Sequence, residues 1–266
     1  MSLPLPSVDA RALVTGASQG IGQALARELA KLGHNLILVA RRAEVLDKLA
    51  DELRRNHSII AEVYPCDLAD TEQLQQLISD ISQREINIII NSAGIASFGP
   101  FIQQDWDYES QQFALNATAV FELTHAVLPG MIKRGSGAIC NVGSAAGNVP
   151  IPNNATYVLT KAGINAFTEA LHYELKGTGV SCTLLAPGPV REAVVEESQR
   201  SIVDKVVPDF LWTTYESCAV ETITAMVKGQ RRVVPGPLSK AMNAVSTVAP
   251  TSVLSPLMGW FYKKMG

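Results

Sequence analysis

Tyr157 and Lys161 stand four residues apart in Ala155-Thr156-Tyr157-Val158-Leu159-Thr160-Lys161-Ala162, a run that reads as helix. The i,i+4 spacing puts both side chains on one helix face. A free phenol has a pKa of about 10 and is a poor acid at neutral pH, but a nearby ammonium favours the phenolate and lowers that value. A tyrosine tuned in this way can give a proton to a carbonyl oxygen or take one from an alcohol. Taken alone, the pair describes a solvated helix face equally well. The elements around it decide between the two.

Short apolar runs alternate with longer amphipathic ones along the chain. Strands are expected at Ala12–Val14, Asn35–Ala40, Ile59–Tyr64, Ile86–Ile90, Ala138–Val142 and Val180–Ala186. Helices are expected from Gly20 to Leu32, closed by Gly33, from Ala43 to Arg55, and from an N-cap at Thr71 through Ile81. Two longer helices are expected near Trp106–Lys133 and Asn154–Lys176. Strands apolar on both faces belong to a parallel sheet covered by helices on each side, and the alternation predicts a single doubly wound α/β domain over 1–237.

The first strand runs into Thr15-Gly16-Ala17-Ser18-Gln19-Gly20-Ile21-Gly22 and opens a helix. Glycines there let backbone amides approach a pyrophosphate, and the helix N-terminus adds N–H groups and a favourable dipole. With this motif in place, the chain resembles the classical short-chain dehydrogenase/reductase family over most of its length. The resemblance rests on Thr-Gly-x-x-x-Gly-Ile-Gly, on Asn91-Ser92-Ala93-Gly94 after the fourth strand (with Ser92 where the family has a second Asn), and on Asn116. It rests further on Ser144, thirteen residues before Tyr157, on the Tyr157/Lys161 pair, and on Pro187-Gly188 after the sixth strand.

The resemblance implies a catalytic set of Asn116, Ser144, Tyr157 and Lys161. Tyr157 would give the proton, Ser144 would hold the substrate oxygen, and Lys161 would tune Tyr157 and hold the nicotinamide ribose. Asn116 would anchor a proton-relaying water. It also implies cofactor contacts at Gly16, Ser18, Gln19, Gly20, Ile21 and Gly22, at Asn91, Ala93 and Gly94, and at Pro187, Gly188 and Val190. Asp67 and Leu68 should border the adenine. Glu192 stands where the family often has a Thr that contacts the nicotinamide amide. Cofactor choice is a charge argument: an acid ending the second strand would bind the ribose hydroxyls and repel a 2′-phosphate. Here that strand ends in Ala40-Arg41-Arg42. An arginine fork pairs with a phosphate dianion, so Arg41, with Arg42 and Ser18, is read as selecting NADP(H).

Composition narrows the partners. Of 266 residues 47% are hydrophobic, and the formal net charge of −3 gives no reason to expect nucleic acid. Cys66, Cys140, Cys182 and Cys218 lack metal-ligand spacing and read as small buried hydrophobes, so no metal is expected. The N-terminus does not read as a signal peptide and no apolar run is long enough to span a bilayer, which points to a cytoplasmic protein. A lid is expected over about 191–212. Asn148-Val149-Pro150-Ile151-Pro152 is expected to form an apolar substrate wall, suited to a carbonyl or alcohol with an apolar body. A C-terminal extension over 238–266, with Leu254, Leu257, Met258, Trp260, Phe261 and Tyr262 beside Lys263-Lys264, would pack on the body or a partner subunit, or touch a membrane surface. Family members commonly pair the two long helices, so a homodimer or homotetramer is expected, with Phe113, Val120, Phe121 and Leu171 serving core or interface. The reading is an NADP(H)-dependent carbonyl reductase or alcohol dehydrogenase. The alternatives are a catalytically silent cofactor-binding regulator and a membrane-attached lipid carbonyl reductase.

Overall fold

The structure, a computed structural model, describes residues 3–191 and 212–248. Glu192 and the interior of the expected lid, and the tail beyond 248, lie outside the described residues.

Strands β1 (Arg11–Thr15), β2 (Leu36–Ala40), β3 (Ala61–Pro65), β4 (Ile86–Asn91), β5 (Gly137–Val142), β6 (Val180–Leu185) and β9 (Arg232–Val233) form one parallel sheet in the order β3-β2-β1-β4-β5-β6-β9. A short parallel pair, β7 (Val190–Arg191) with β8 (Thr213–Thr214), stands apart from it. Period-2 alternation sorts the strand side chains into two cores. Ala12, Val14, Leu36, Leu38, Ile88 and Ile90 pack with α1 (Gly20–Lys31), α2 (Ala43–His57) and α7 (Tyr215–Val227). Leu13, Ile37, Val39 and Ile89 pack with α3 (Thr71–Ser82), α5 (Ala119–Arg134) and α6 (Ala155–Glu174). The fold is the expected single-domain doubly wound Rossmann-type sheet. Because β4 lies beside β1 rather than next to β3, the strand order reverses at β1/β4, where ligands of such sheets bind.

Several boundaries differ from expectation for local reasons. The N-cap of α3 is Asp70, not Thr71, because the Asp70 carboxylate accepts from Gln73 N at 3.0 Å. The helix expected over Trp106–Lys133 is divided into α4 (Trp106–Phe113) and α5 by a π-helical turn, Ala114–Thr118, that contains Asn116. β3 ends on Pro65, tolerated because β3 is an edge strand. The elements α7, β9 and α8 (Pro237–Val248) were not expected. α8 crosses the boundary expected at 237/238, with Ser239 fully buried. Of the residues expected at core or interface, Val120 and Leu171 are buried, while Phe113 and Phe121 are exposed. Among the described residues no helix is long and apolar enough to cross a membrane.

Candidate active site

A cleft of about 600 Å³ lies at the carboxyl ends of the strands, lined by segments that follow β1 through β6 in turn. That volume suits a small-molecule site. At one end the glycine loop enters α1. Gly16 adopts φ +65°, and a Cβ on it would lie 2.8 Å from Ala93 N. A Cβ on Gly22 would run into the Gly16 carbonyl. Thr15 Oγ1 ties this loop to the next, accepting from Ser92 N at 3.0 Å and Ala93 N at 3.1 Å. Among the described residues no side chain caps the first turn of α1, and that turn carries no acid. Its amides and dipole are therefore directed at the cleft, a donor set that fits a dinucleotide pyrophosphate.

The two arginines after β2 have different partners. Arg42 donates to Ser18 Oγ at 3.1 Å and to Gln19 Oε1 at 2.6 Å, lying across the glycine loop. Arg41 is 69% exposed, with Asp67 Oδ2 3.8 Å from its guanidinium. Asp67 also accepts from Ala69 N at 3.0 Å, so it shapes its own turn while holding Arg41 loosely.

At the other end α6 delivers Tyr157 and Lys161. Lys161 is buried, and its ammonium donates to Val142 O at 2.8 Å and lies 5.7 Å from the centroid of the Tyr157 ring. Burial pushes Lys161 down to about 8. The Tyr157 phenol is pushed up by burial and pulled down by a side-chain hydrogen bond with Ser144. Ser144 caps the 3₁₀ turn Ala145–Asn148, where its Oγ accepts from Ala146 N at 3.1 Å and is left with its own O–H to donate. Lys161 was expected to be what lowers the Tyr157 pKa. Burial outweighs Ser144 and leaves the phenol raised overall, while the Lys161 ammonium keeps two further N–H groups beyond the one on Val142 O. Gly94 makes room: a Cβ there would stand 3.1 Å from Asn116 Oδ1 and 3.5 Å from Lys161 Nζ.

A family model for short chain dehydrogenase matches residues 10–202. A very-long-chain 3-oxoacyl-CoA reductase of Anas platyrhynchos is 33% identical over 95% of this chain and 80% of its own length. The ketoacyl reductase HetN of a Nostoc species is 32% identical over 94% and 88%.

The chain belongs to the short-chain dehydrogenase family.

Solved structures agree. A short-chain dehydrogenase from Sphingobium yanoikuyae in complex with NADPH superposes with a TM-score of 0.76 at 27% identity, over 96% of this chain and 95% of that one. A 7β-hydroxysteroid dehydrogenase has a TM-score of 0.88 over 97% and 100%, at 23% identity a likeness of fold. As a short-chain dehydrogenase the protein is an oxidoreductase that binds a nicotinamide cofactor and acts on small molecules.

Most residues expected in the short-chain dehydrogenase site line the cleft: the glycine loop from Gly16 through Ser18, Gln19, Gly20 and Ile21 to Gly22, then Arg41, Arg42, Asp67, Leu68, Ala93 and Gly94, and beyond them Ser144, Tyr157, Lys161, Pro187, Gly188 and Val190. Two do not. Asn91 is buried and its amide donates to Thr124 Oγ1 and Asn141 Oδ1, cross-linking β4 to β5 and α5 beneath the floor instead of facing a ligand. Asn116 is fully buried, accepting from Ile95 N at 2.9 Å and donating to Ile95 O at 2.8 Å. Its side chain thus clamps the loop after β4 to the π-helical turn. Of the expected apolar wall, Val149 and Ile151 are buried and Pro150 and Pro152 exposed, and none of residues 148–152 lines this cleft. Trp212 is half-buried, with the Arg191 guanidinium 4.8 Å from its ring centroid.

Three residues were missed. Thr15 stands in the glycine motif and was readable there. Tyr215 lines the cleft, 3.5 Å from where a Cβ on Gly20 would be, and no local signal ties it to that loop. Asn165 lies one helical step beyond Lys161 on the Tyr157 face, so its signal was the i,i+4 series continued.

Proposed function

We propose that the protein is an NADP(H)-dependent oxidoreductase interconverting a carbonyl compound and an alcohol, with Tyr157 as proton donor and acceptor. The observation that carries this reading is that Ser144, Tyr157 and Lys161 line one end of a cleft whose other end holds Arg41 and Arg42. A bound nicotinamide supplies or accepts the hydride. In the reducing direction the Tyr157 hydroxyl gives its proton to the substrate oxygen. The Ser144 O–H donates to that same oxygen, kept in place by the Ala146 N–H behind it. Lys161, anchored on Val142, offsets the charge left on the phenol.

Preference for NADP(H) rests on charge. No acid ends β2, and Arg41 is exposed with a long, solvent-screened ion pair to Asp67, so a 2′-phosphate can take over its fork. The NADPH complex of the Sphingobium relative supports this. The names of the duck and Nostoc relatives support a 3-ketoacyl thioester as the carbonyl substrate.

The test is a cofactor-oxidation screen over ketones, aldehydes and 3-ketoacyl thioesters with NADPH and NADH in parallel. We expect NADPH consumption, fastest with a 3-ketoacyl thioester and slower with NADH. A folded protein that binds NADPH and turns over none of the three classes is a cofactor-binding regulator, and the catalytic reading fails.

A further inference from the structure

Asn165 does not line the cleft, yet it is bonded to the backbone of Ser144 on both sides. Its Oδ1 accepts from Ser144 N at 3.3 Å, and its Nδ2 donates to Ser144 O at 2.9 Å. The same Nδ2 donates to Asn148 Oδ1 at 3.1 Å, at the far end of the 3₁₀ turn that Ser144 opens. The turn is shaped around this amide. A Cβ on Gly143 would collide with Asn165 Oδ1, and one on Gly147 would stand 2.7 Å from its Nδ2. Asn148 Oδ1 is fixed in turn by Arg232 at 2.9 Å, and Asn148 Nδ2 donates to Asn243 of α8 at 3.3 Å. A buried amide that satisfies one donor and two acceptors in a low-dielectric interior holds its partners in a single arrangement.

We infer that Asn165 is a positioning residue for Ser144: its side-chain amide sets the backbone of the turn, so that the Ser144 hydroxyl stands where the substrate oxygen and Tyr157 need it. The inference rests on the reaction proposed above. Tyr157, Lys161 and Asn165 form one stripe of α6, so a single helix presents the proton donor, its cationic neighbour and the brace of the hydroxyl beside them. Misplacing a catalytic group by about 1 Å can cost roughly 10²-fold in rate.

The experiment is a double-mutant cycle with Ser144→Ala, Asn165→Ala and the double variant, reading kcat, KM and NADPH affinity on a substrate found in the screen. Asn165→Ala should lower kcat by about 10- to 100-fold while NADPH affinity stays within about twofold. In the Ser144→Ala background the same change should cost almost nothing further, because the group it positions is gone. An equal loss in both backgrounds overturns the inference, as does full kcat in Asn165→Ala. If Asn165→Ala does not fold, Asn165→Asp substitutes for it. That variant keeps the acceptor for Ser144 N and sets an acceptor against Ser144 O, so a partial kcat loss confined to the Ser144 background is expected, and native kcat overturns the inference. If Ser144→Ala itself retains native kcat, it is the catalytic reading that fails, a different result.

Discussion

The two ends of the cleft are built from different materials. At the cofactor end the working groups are backbone: glycines whose missing Cβ atoms let one loop lie on another, and amides at the start of α1. The charged side chains there, Arg41 and Arg42, are exposed and held by long or solvent-screened contacts. At the reaction end the working groups are side chains, and Lys161, Ser144, Asn116 and Asn165 are buried and hydrogen-bonded, Lys161 to Val142, Ser144 to Asn165 and Asn116 to Ile95. Exposed charges can rearrange around a ligand at small cost, whereas buried polar groups cannot lose a partner cheaply. The cofactor end should therefore tolerate changes that shift preference, and the reaction end should respond with loss of rate.

The sharpest way to break that contrast is Tyr157→Phe. It removes the proton donor and keeps the ring, so turnover should fall by roughly 10²–10⁴-fold while NADPH affinity stays nearly native. Lys161→Ala should damage both turnover and cofactor binding. Single-turnover hydride transfer and cofactor titration check both variants, and near-native turnover in Tyr157→Phe would return the pair to an ordinary helix face.

A smaller effect is expected at the exposed end. Charge-assisted phosphate pairs are worth about 1.5–3 kcal/mol. Arg41→Asp should therefore cut the NADPH-over-NADH affinity ratio by about 10- to 100-fold and leave kcat with the better-bound cofactor largely intact. Equal affinity of the native protein for the two cofactors contradicts the reading.

The smallest expected effect concerns the buried lysine. Burial lowers Lys161 to about 8, against about 10.4 in an unfolded chain. Between these values the unfolded chain binds a proton that the folded one does not, so this group's contribution to stability is fully present above about 10.4 and is lost as pH falls toward 8. Below 8 both states are protonated and the loss is constant. The native protein without cofactor should thus gain on Lys161→Met as pH rises from 8 to 10, by at most about 1.4 kcal/mol per pH unit. Chemical denaturation of both proteins across that range is the measurement, and a difference that does not change with pH contradicts it.

Two kinds of information in the chain were legible without coordinates. Strands apolar on both faces such as Ile86–Ile90 and amphipathic helices such as Ala43–Arg55 specify their own type, because burial of one face or two is written in residue spacing. The glycine loop and the Tyr157/Lys161 step are local as well, since the loop–helix junction and the i,i+4 face are each made within a few residues. Partners distant in sequence were not legible. Asn91 and Asn116 carry the same amide that a ligand contact would need, and only packing shows that Asn91 donates to Asn141 and Thr124 and that Asn116 is bonded to Ile95. Arg41 and Arg42 are adjacent and alike, and the turn after β2 decides that one crosses the glycine loop while the other faces Asp67. The apolar run near Val149 has the composition of a substrate wall, and the fold decides that Val149 and Ile151 are buried while Pro150 and Pro152 are exposed. The sequence by itself determined the alternation of elements, the parallel sheet and the local motifs, because each arises from neighbours along the chain. Only the tertiary structure decided which polar side chains face the cleft and which, like Asn165 beneath Ser144, hold it in shape, because a hydrogen bond is spent on whichever partner the fold brings within about 3 Å.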